Sequence, residues 1–189
     1  NNPRIWSTID PYLYDIELRM LDDSFEQYDY VETYIGLRKF DIRGNRFYLN
    51  NKPIYLRWVL DQGFYPDGGW TSPNDDALRH DIEMSQAVGF NGARLHYWAD
   101  KLGYITSAEY NSFGADWRMF ETKYNLLTDW RACVERDVSH PSIVMWTPLN
   151  ESQGIGSDGC DLSSFGHERN SIPYKDFVNQ LGAITKAID

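Results

Sequence analysis

An amide and a carboxylate, types that carry hydrogen bonds and protons, stand together at Asn150-Glu151. They come after an almost unbroken apolar run, Ile143-Val144-Met145-Trp146. Such a run has the character of a strand buried on both faces, as in a parallel sheet wrapped by helices. His140-Pro141-Ser142 leads into it, and the proline pre-sets φ and keeps a preceding helix from continuing. Just past the carboxyl end of a buried parallel strand is where such folds put chemistry. As a bare dipeptide, however, Asn150-Glu151 reads more readily as the start of a polar loop.

The elements that must position this pair are read from the rest of the chain. Its 189 residues make one ordinary domain, or one and a part, with enough chain for a sizeable core. A net charge of −10 and a pI near 4.8 argue against nucleic acid and anionic membrane as partners, since both need basic patches. Seven Trp, thirteen Tyr and nine Phe suit the apolar faces of sugar rings, but equally suit cores and interfaces. Cys133 and Cys160 form no metal or redox spacing, and Cys133 lies in a helical pattern as a small core residue. No apolar run reaches the ~18 residues of a membrane span, and the N-terminus lacks a signal-peptide pattern.

Residues 1–38 differ in character from the remainder of the chain. Tyr12, Tyr14, Ile16 and Leu18 alternate with Leu13, Asp15, Glu17 and Arg19, the period of a strand with one buried face. Asp22-Asp23-Ser24 gives a turn, and Tyr28 to Leu37 a second strand. Two strands cannot hold a core alone, so this segment is expected to be a remnant of a β-sandwich or to pack on the residues after it.

From Phe40 the pattern changes. A hairpin around Arg43-Gly44-Asn45-Arg46 and a turn at Asn50-Asn51-Lys52-Pro53 precede a buried strand, Ile54 to Leu60, which ends at Asp61. A helix from about Asp75 to Val88 is capped by Ser72 or Asn74 and stopped at Gly89. Phe90 to His96 and Tyr104 to Ala108 read as strands around a short helix, Trp98 to Leu102. A helix from about Asp116 to Arg136 comes before the strand carrying Glu151, and a last helix carries Phe177, Leu181, Ile184 and Ile188 in register. Strand and helix alternate four times, for which parallel strands with right-handed crossovers are the economical arrangement. The expected fold is α/β: half of an eight-stranded barrel, or a small doubly wound sheet.

Phe40 to Glu151 resembles glycoside hydrolase family 2, the family of β-galactosidases, β-glucuronidases and β-mannosidases. The residues that carry the resemblance are Leu49-Asn50-Asn51-Lys52-Pro53-Ile54-Tyr55-Leu56-Arg57, Leu60-Asp61-Gln62-Gly63 and Gly89-Phe90-Asn91-Gly92-Ala93-Arg94-Leu95-His96. Asp137, His140-Pro141-Ser142-Ile143 and Trp146 with Asn150-Glu151-Ser152 complete the set. The resemblance implies that residues 1–38 close an immunoglobulin-like β-sandwich, with Gly36-Leu37-Arg38 as its exit. It implies that residues 39–189 are the first half of a (β/α)8 TIM-type barrel. Glu151 would be the general acid/base, Asn150 a ligand of the sugar 2-hydroxyl, and Arg94, in the family's Arg and His pair with His96, the group that keeps a nucleophilic carboxylate ionised. Asp61 and Glu109, ending the first and third barrel strands, suit contacts with substrate hydroxyls; each also reads as an ordinary loop residue.

The chain departs from the family pattern in several places. The partner carboxyl of a retaining glycosidase, a glutamate ending the seventh strand in this family, lies outside the sequence. Fewer residues separate His96 from Tyr97-Trp98-Ala99-Asp100 than in related sequences, which either reshapes the substrate rim or marks a gap. Trp58 stands where glycine is usual, and Gln153 where tryptophan is common. Two function classes remain: part of a retaining β-glycosidase, or a non-catalytic carbohydrate-binding or structural fragment. A nucleotide-binding protein fits worse, because no Gly-rich phosphate loop comes after any strand. The expected partners are a carbohydrate substrate and the other half of the barrel, or a second copy of the chain through open strand edges. No cofactor and no metal is expected.

Overall fold

The computed structural model describes residues 2–61, 63–93, 98–110, 119–149 and 172–189, with side chains of the last segment from residue 175 onward. Strands β1 (Tyr14–Leu21) and β2 (Gln27–Ile35) form an antiparallel hairpin. Its turn is held by Asp22, whose Oδ1 accepts from the amides of Ser24 at 2.8 Å and Glu26 at 2.9 Å. Directly paired residues share a face, so Tyr14, Ile16 and Leu18 lie beside Ile35, Thr33 and Val31, with the charged partners Glu17 and Glu32 opposite. The alternation is the expected one, but Leu18 and Val31 are 56% and 49% exposed rather than buried. A two-stranded ribbon has no second layer of its own to cover its apolar face.

Strands β3 (Phe40–Arg43), β4 (Arg46–Leu49) and β5 (Lys52–Ile54) make an antiparallel meander. Asn50 and Asn51 both take positive φ, 52° and 65°, the backbone of the tight turn that matches strand twist. Lys52 and Pro53, expected in that turn, already belong to β5, an edge strand where proline is tolerated. The strand expected over Ile54 to Leu60 is split, with β6 (Trp58–Val59) forming a separate element. The cause is Asn91. Its Nδ2 donates to the Tyr55 carbonyl at 2.8 Å and its Oδ1 accepts from the Arg57 amide at 2.7 Å. One side chain thus occupies the backbone groups between the two strands, in place of a ladder partner.

The parallel sheet has four strands in the order β6, β7 (Gly92–Ala93), β8 (Ile105–Glu109) and β9 (Ile143–Thr147). Trp58 pairs with Gly92 and Gly92 with Ile105, both in parallel. A Cβ on Gly92 would collide with the Trp58 indole and the Ile105 carbonyl. The tryptophan that replaces the usual glycine is therefore accommodated by the glycine opposite it. Helices α1 (Asp75–Ala87), α2 (Ala99–Leu102), α3 (Phe120–Asp137) and α4 (Ile172–Ile188) alternate with the strands. Asn74, not Ser72, caps α1, its Oδ1 accepting from the Ala77 amide at 2.9 Å. Helix α3 starts at Phe120 rather than near Asp116, after an extended Met119. Residues 111–118 lie outside the described ones.

By packing, the chain divides into two compact units, residues 1–107 with 139–144 and residues 108–138 with 145–189. In the first, Trp6, Leu49 and Ile105 form one core, and Ile82, Ala93, Ala99 and Tyr104 another. Trp6 is fully buried; its amide donates to Leu37 O at 2.8 Å, its indole N–H to Asp100 O at 2.7 Å, and its carbonyl accepts from Asn50 Nδ2 at 2.8 Å. The N-terminal segment thus packs on residues beyond 38, the second of the two expectations for it. In the second unit, Leu126, Trp130 and Val134 of α3 meet Phe177 and Leu181 of α4, and Trp130 Nε1 donates to Thr185 Oγ1 at 2.9 Å. Strand β9 is less covered than its sequence suggests: Ile143 is buried, but Met145 is 38% exposed. Cys133, expected in the core, is half-buried and free; burial pushes its thiol up.

Candidate functional site

Four of the six candidate residues, Asn150, Glu151, Arg94 and His96, lie outside the described residues. The strands that precede them are described: Ala93 ends β7 one residue before Arg94, and Thr147 ends β9 three residues before Asn150. Asp61 and Glu109 are both described: Glu109 is the last residue of β8, as expected, whereas Asp61 lies two residues past Val59, where β6 ends.

Asp61 belongs to the first unit. It is half-buried, and its Oδ1 accepts from the Gly63 amide at 2.8 Å, with Gly63 at φ 62°. It lines a cavity of about 670 Å³ together with Val59, Phe64, Asp81, Met84 and Val88. Asp81 and Met84 lie on one flank of α1, and Val88 is its C-cap. A flank of α1 and the edge strand β6 wall this groove. Tyr65 anchors the adjoining loop: burial, then the Asp81 carboxylate, raises its phenol above the ordinary value.

Glu109 belongs to the second unit and is half-buried at the end of β8. The next residue, Tyr110, donates its amide to Thr147 O at 3.0 Å and its hydroxyl to Asp129 Oδ2 at 2.9 Å. Burial and the Asp129 carboxylate push the Tyr110 phenol to about 12, so it stays a neutral donor at physiological pH. Tyr110, Trp130 and Trp146 meet edge-to-face in sequence, with centroids 6.5 and 6.0 Å apart. These aromatics tie the end of β8 to the end of β9, two residues after which the described chain reaches Leu149.

Sequence reasoning missed a polar cluster at the opposite, amino end of β9. Asp100 is 1% exposed in α2. Its Oδ1 accepts from the Ser142 amide at 2.8 Å, and its Oδ2 from Tyr34 OH at 3.0 Å and His140 Nδ1 at 2.5 Å. A carboxylate can only accept, so the imidazole carries its proton on Nδ1. Burial pushes the Asp100 carboxyl up, but the bonds from His140 and Ser142 outweigh it and hold it below the ordinary 3.8. Arg38 donates through Nε to Pro141 O at 2.9 Å and through its guanidinium to Ile143 O. The signal was present: a charged residue between Ala99 and Leu102, with Trp98 before it, on a helix too short to keep it in water. Its partners, 40 and 42 residues away, were not legible.

Among the described residues no group of three or more His, Cys, Asp or Glu side chains could hold a metal ion. No helix there is long and apolar enough to cross a membrane.

Comparison with known proteins places this geometry. The family described as glycosyl hydrolases family 2 matches residues 1–38, and its TIM barrel domain matches residues 40–172. A β-galactosidase of Lactococcus lactis is 32% identical over 173 residues, 83% of this chain and 17% of that protein. A β-galactosidase of Leuconostoc mesenteroides is 32% identical over 167 residues, 80% of this chain and 16% of that protein. The chain thus spans about a sixth of the length of these curated relatives. Among solved structures, a β-glucuronidase from Ruminococcus gnavus superposes with a TM-score of 0.77 at 22% identity, over 100% of this chain and 32% of that one. A β-galacturonidase from Eisenbergiella tayi gives 0.81 at 20% identity, over 98% and 32%. At such identities the likeness is one of fold: a partial TIM barrel preceded by sandwich strands. On the family matches, which span most of its length, the chain belongs to glycosyl hydrolases family 2.

Proposed function

We propose that this chain supplies part of the active site of a retaining β-glycosidase, with Glu151 as its general acid/base. The observation that carries the reading is the sequence Asn150-Glu151 just beyond β9, the fourth parallel strand, in a chain of this family. In the first step Glu151 protonates the glycosidic oxygen as the bond to the anomeric carbon breaks. A nucleophilic carboxylate about 5 Å from it, supplied from outside this chain, takes the sugar as a covalent ester. In the second step Glu151, now ionised, takes a proton from water as the water attacks and releases the sugar. Asn150 holds the 2-hydroxyl, a bond that strengthens as charge develops on the ring, and Arg94 keeps the nucleophile ionised. Asp61 and Glu109, acceptors at or just past strand ends, bind substrate hydroxyls.

Glu151→Gln in the full-length protein tests the reading. Hydrolysis of glycosides with poor leaving groups should fall by at least ~10²-fold, the usual worth of a positioned proton donor. Glycosylation by activated aryl glycosides should be spared, because their leaving groups need little protonation. Because the curated relatives are named β-galactosidases, β-galactosides are the first substrates to try. Equal loss on both leaving-group classes in that step, with the fold intact, would exclude the acid role.

A further inference from the structure

Backbone hydrogen bonds pin the loop after β6 from Tyr65 onward, yet two of its three aromatic side chains, Phe64 and Trp70, are exposed. Tyr65 and Gly69 exchange backbone bonds at 2.8 and 2.9 Å, and the Thr71 amide donates to Gly68 O at 3.1 Å. Gly69 takes φ 60°, and a Cβ on Gly68 would collide with the Thr71 carbonyl. Ser72 Oγ donates to Asn74 O at 2.7 Å, which joins the loop to the capped start of α1. On this frame Phe64 is 71% exposed and Trp70 78%, their rings 6.0 Å apart at 86°. Exposed aromatic pairs held on a hydrogen-bonded loop are suited to recognising a ring.

We propose that Phe64 and Trp70 form a platform for a neutral ring on the leaving-group side of the substrate. This rests on reading the protein as a β-glycosidase. Two rings at right angles make a corner that takes a flat ring on one wall and its edge against the other. Asp61 and the exposed Asp67, on the same loop, can accept bonds from ring hydroxyls and disfavour an anionic ring. Either an aryl group or the apolar face of a pyranose meets this description.

The test uses the full-length protein with Trp70→Ala, Phe64→Ala and, as the conservative variant, Trp70→Phe. Three substrates share the glycone that it hydrolyses: the phenyl β-glycoside, a β-linked disaccharide and the glycosyl fluoride, which has no ring to leave. Each alanine variant should lower kcat/KM for a ring-bearing substrate by about tenfold, the upper range for one aromatic contact, with the fluoride unchanged. Trp70→Phe should restore most of the loss. A loss on the phenyl glycoside alone assigns the corner to aryl groups; a loss on the disaccharide alone assigns it to pyranoses. Equal loss on the fluoride, or none on either ring-bearing substrate, overturns the platform. If the wild-type protein hydrolyses no β-glycoside, the proposed function fails but the platform is still read directly. Acrylamide quenching of the fluorescence that Trp70→Phe removes should then fall on adding phenyl β-galactoside or lactose, and no protection by either overturns it.

Discussion

Replacing Asp100 tests the cluster at the amino end of β9 most directly. Asp100→Ala removes a carboxylate that accepts from the Ser142 amide, the His140 ring and the Tyr34 hydroxyl. Ser142 is itself 1% exposed, so water cannot replace its partner. Three donors then lose their acceptor, at roughly 1–3 kcal/mol for each that water cannot reach, or about 3–5 kcal/mol in all. Asp100→Asn keeps an acceptor for the Ser142 amide and loses only the charge-assisted part, about 1–2 kcal/mol. The pH dependence has a definite sign. The folded-state carboxyl lies below its ordinary 3.8, so its stabilisation is present above that value and is lost as pH falls through the folded pKa. The gap between wild type and Asp100→Asn should therefore be full at neutral pH and close in acid. Thermal unfolding of the full-length proteins across pH, with hydrogen exchange over residues 139–147, reads both effects. An alanine variant within about 1 kcal/mol of wild type, with exchange unchanged, would refute the cost assigned to losing this buried acceptor.

Gly103→Ala should destabilise by more than about 1 kcal/mol in a denaturant melt, because φ is 69° and a Cβ would sit 2.7 Å from Thr8 O. Arg94→Met in the full-length protein should cut turnover by at least ~10²-fold with little change in melting temperature, and wild-type turnover would exclude the electrostatic role. Purified alone, these 189 residues should hydrolyse no aryl β-galactoside, β-glucuronide, β-mannoside or β-glucoside, since the mechanism proposed above takes its second carboxyl from outside them. Turnover by a clean monomer, abolished by Glu151→Ala, would show a complete site.

The order of strands and helices was legible because each is punctuated locally: Asn74 before α1, Gly89 and Gly103 after helices, Pro141 before β9. What escaped depends on partners distant in sequence. No local pattern tells that Asn91 will take the backbone groups of Tyr55 and Arg57 and divide a strand, or that Asp100 will meet His140. The apolar stripe of β1 was readable, but not whether anything covers it. Asp61 and Glu109 could be placed at or just past strand ends because the apolar runs before them stop there. Arg94, His96, Asn150 and Glu151 were singled out through the order of motifs, and they fall outside the described residues.

The two family matches meet between residues 38 and 40, and a cut there would look natural from sequence alone. Packing says otherwise. Trp6 is a core residue beneath Leu49 and Ile105, Tyr34 closes the Asp100 cluster, and Arg38 grips two carbonyls at the entrance to β9. Gly36 has no Cβ because the ring of Pro141 occupies that space. Anyone grafting the front domain of one relative onto the barrel of another should therefore let these residues travel with the barrel. A chimera joined at residue 39 would inherit a hole where Trp6 was, an aspartate short of a donor, and a strand entrance whose carbonyls had lost their guanidinium.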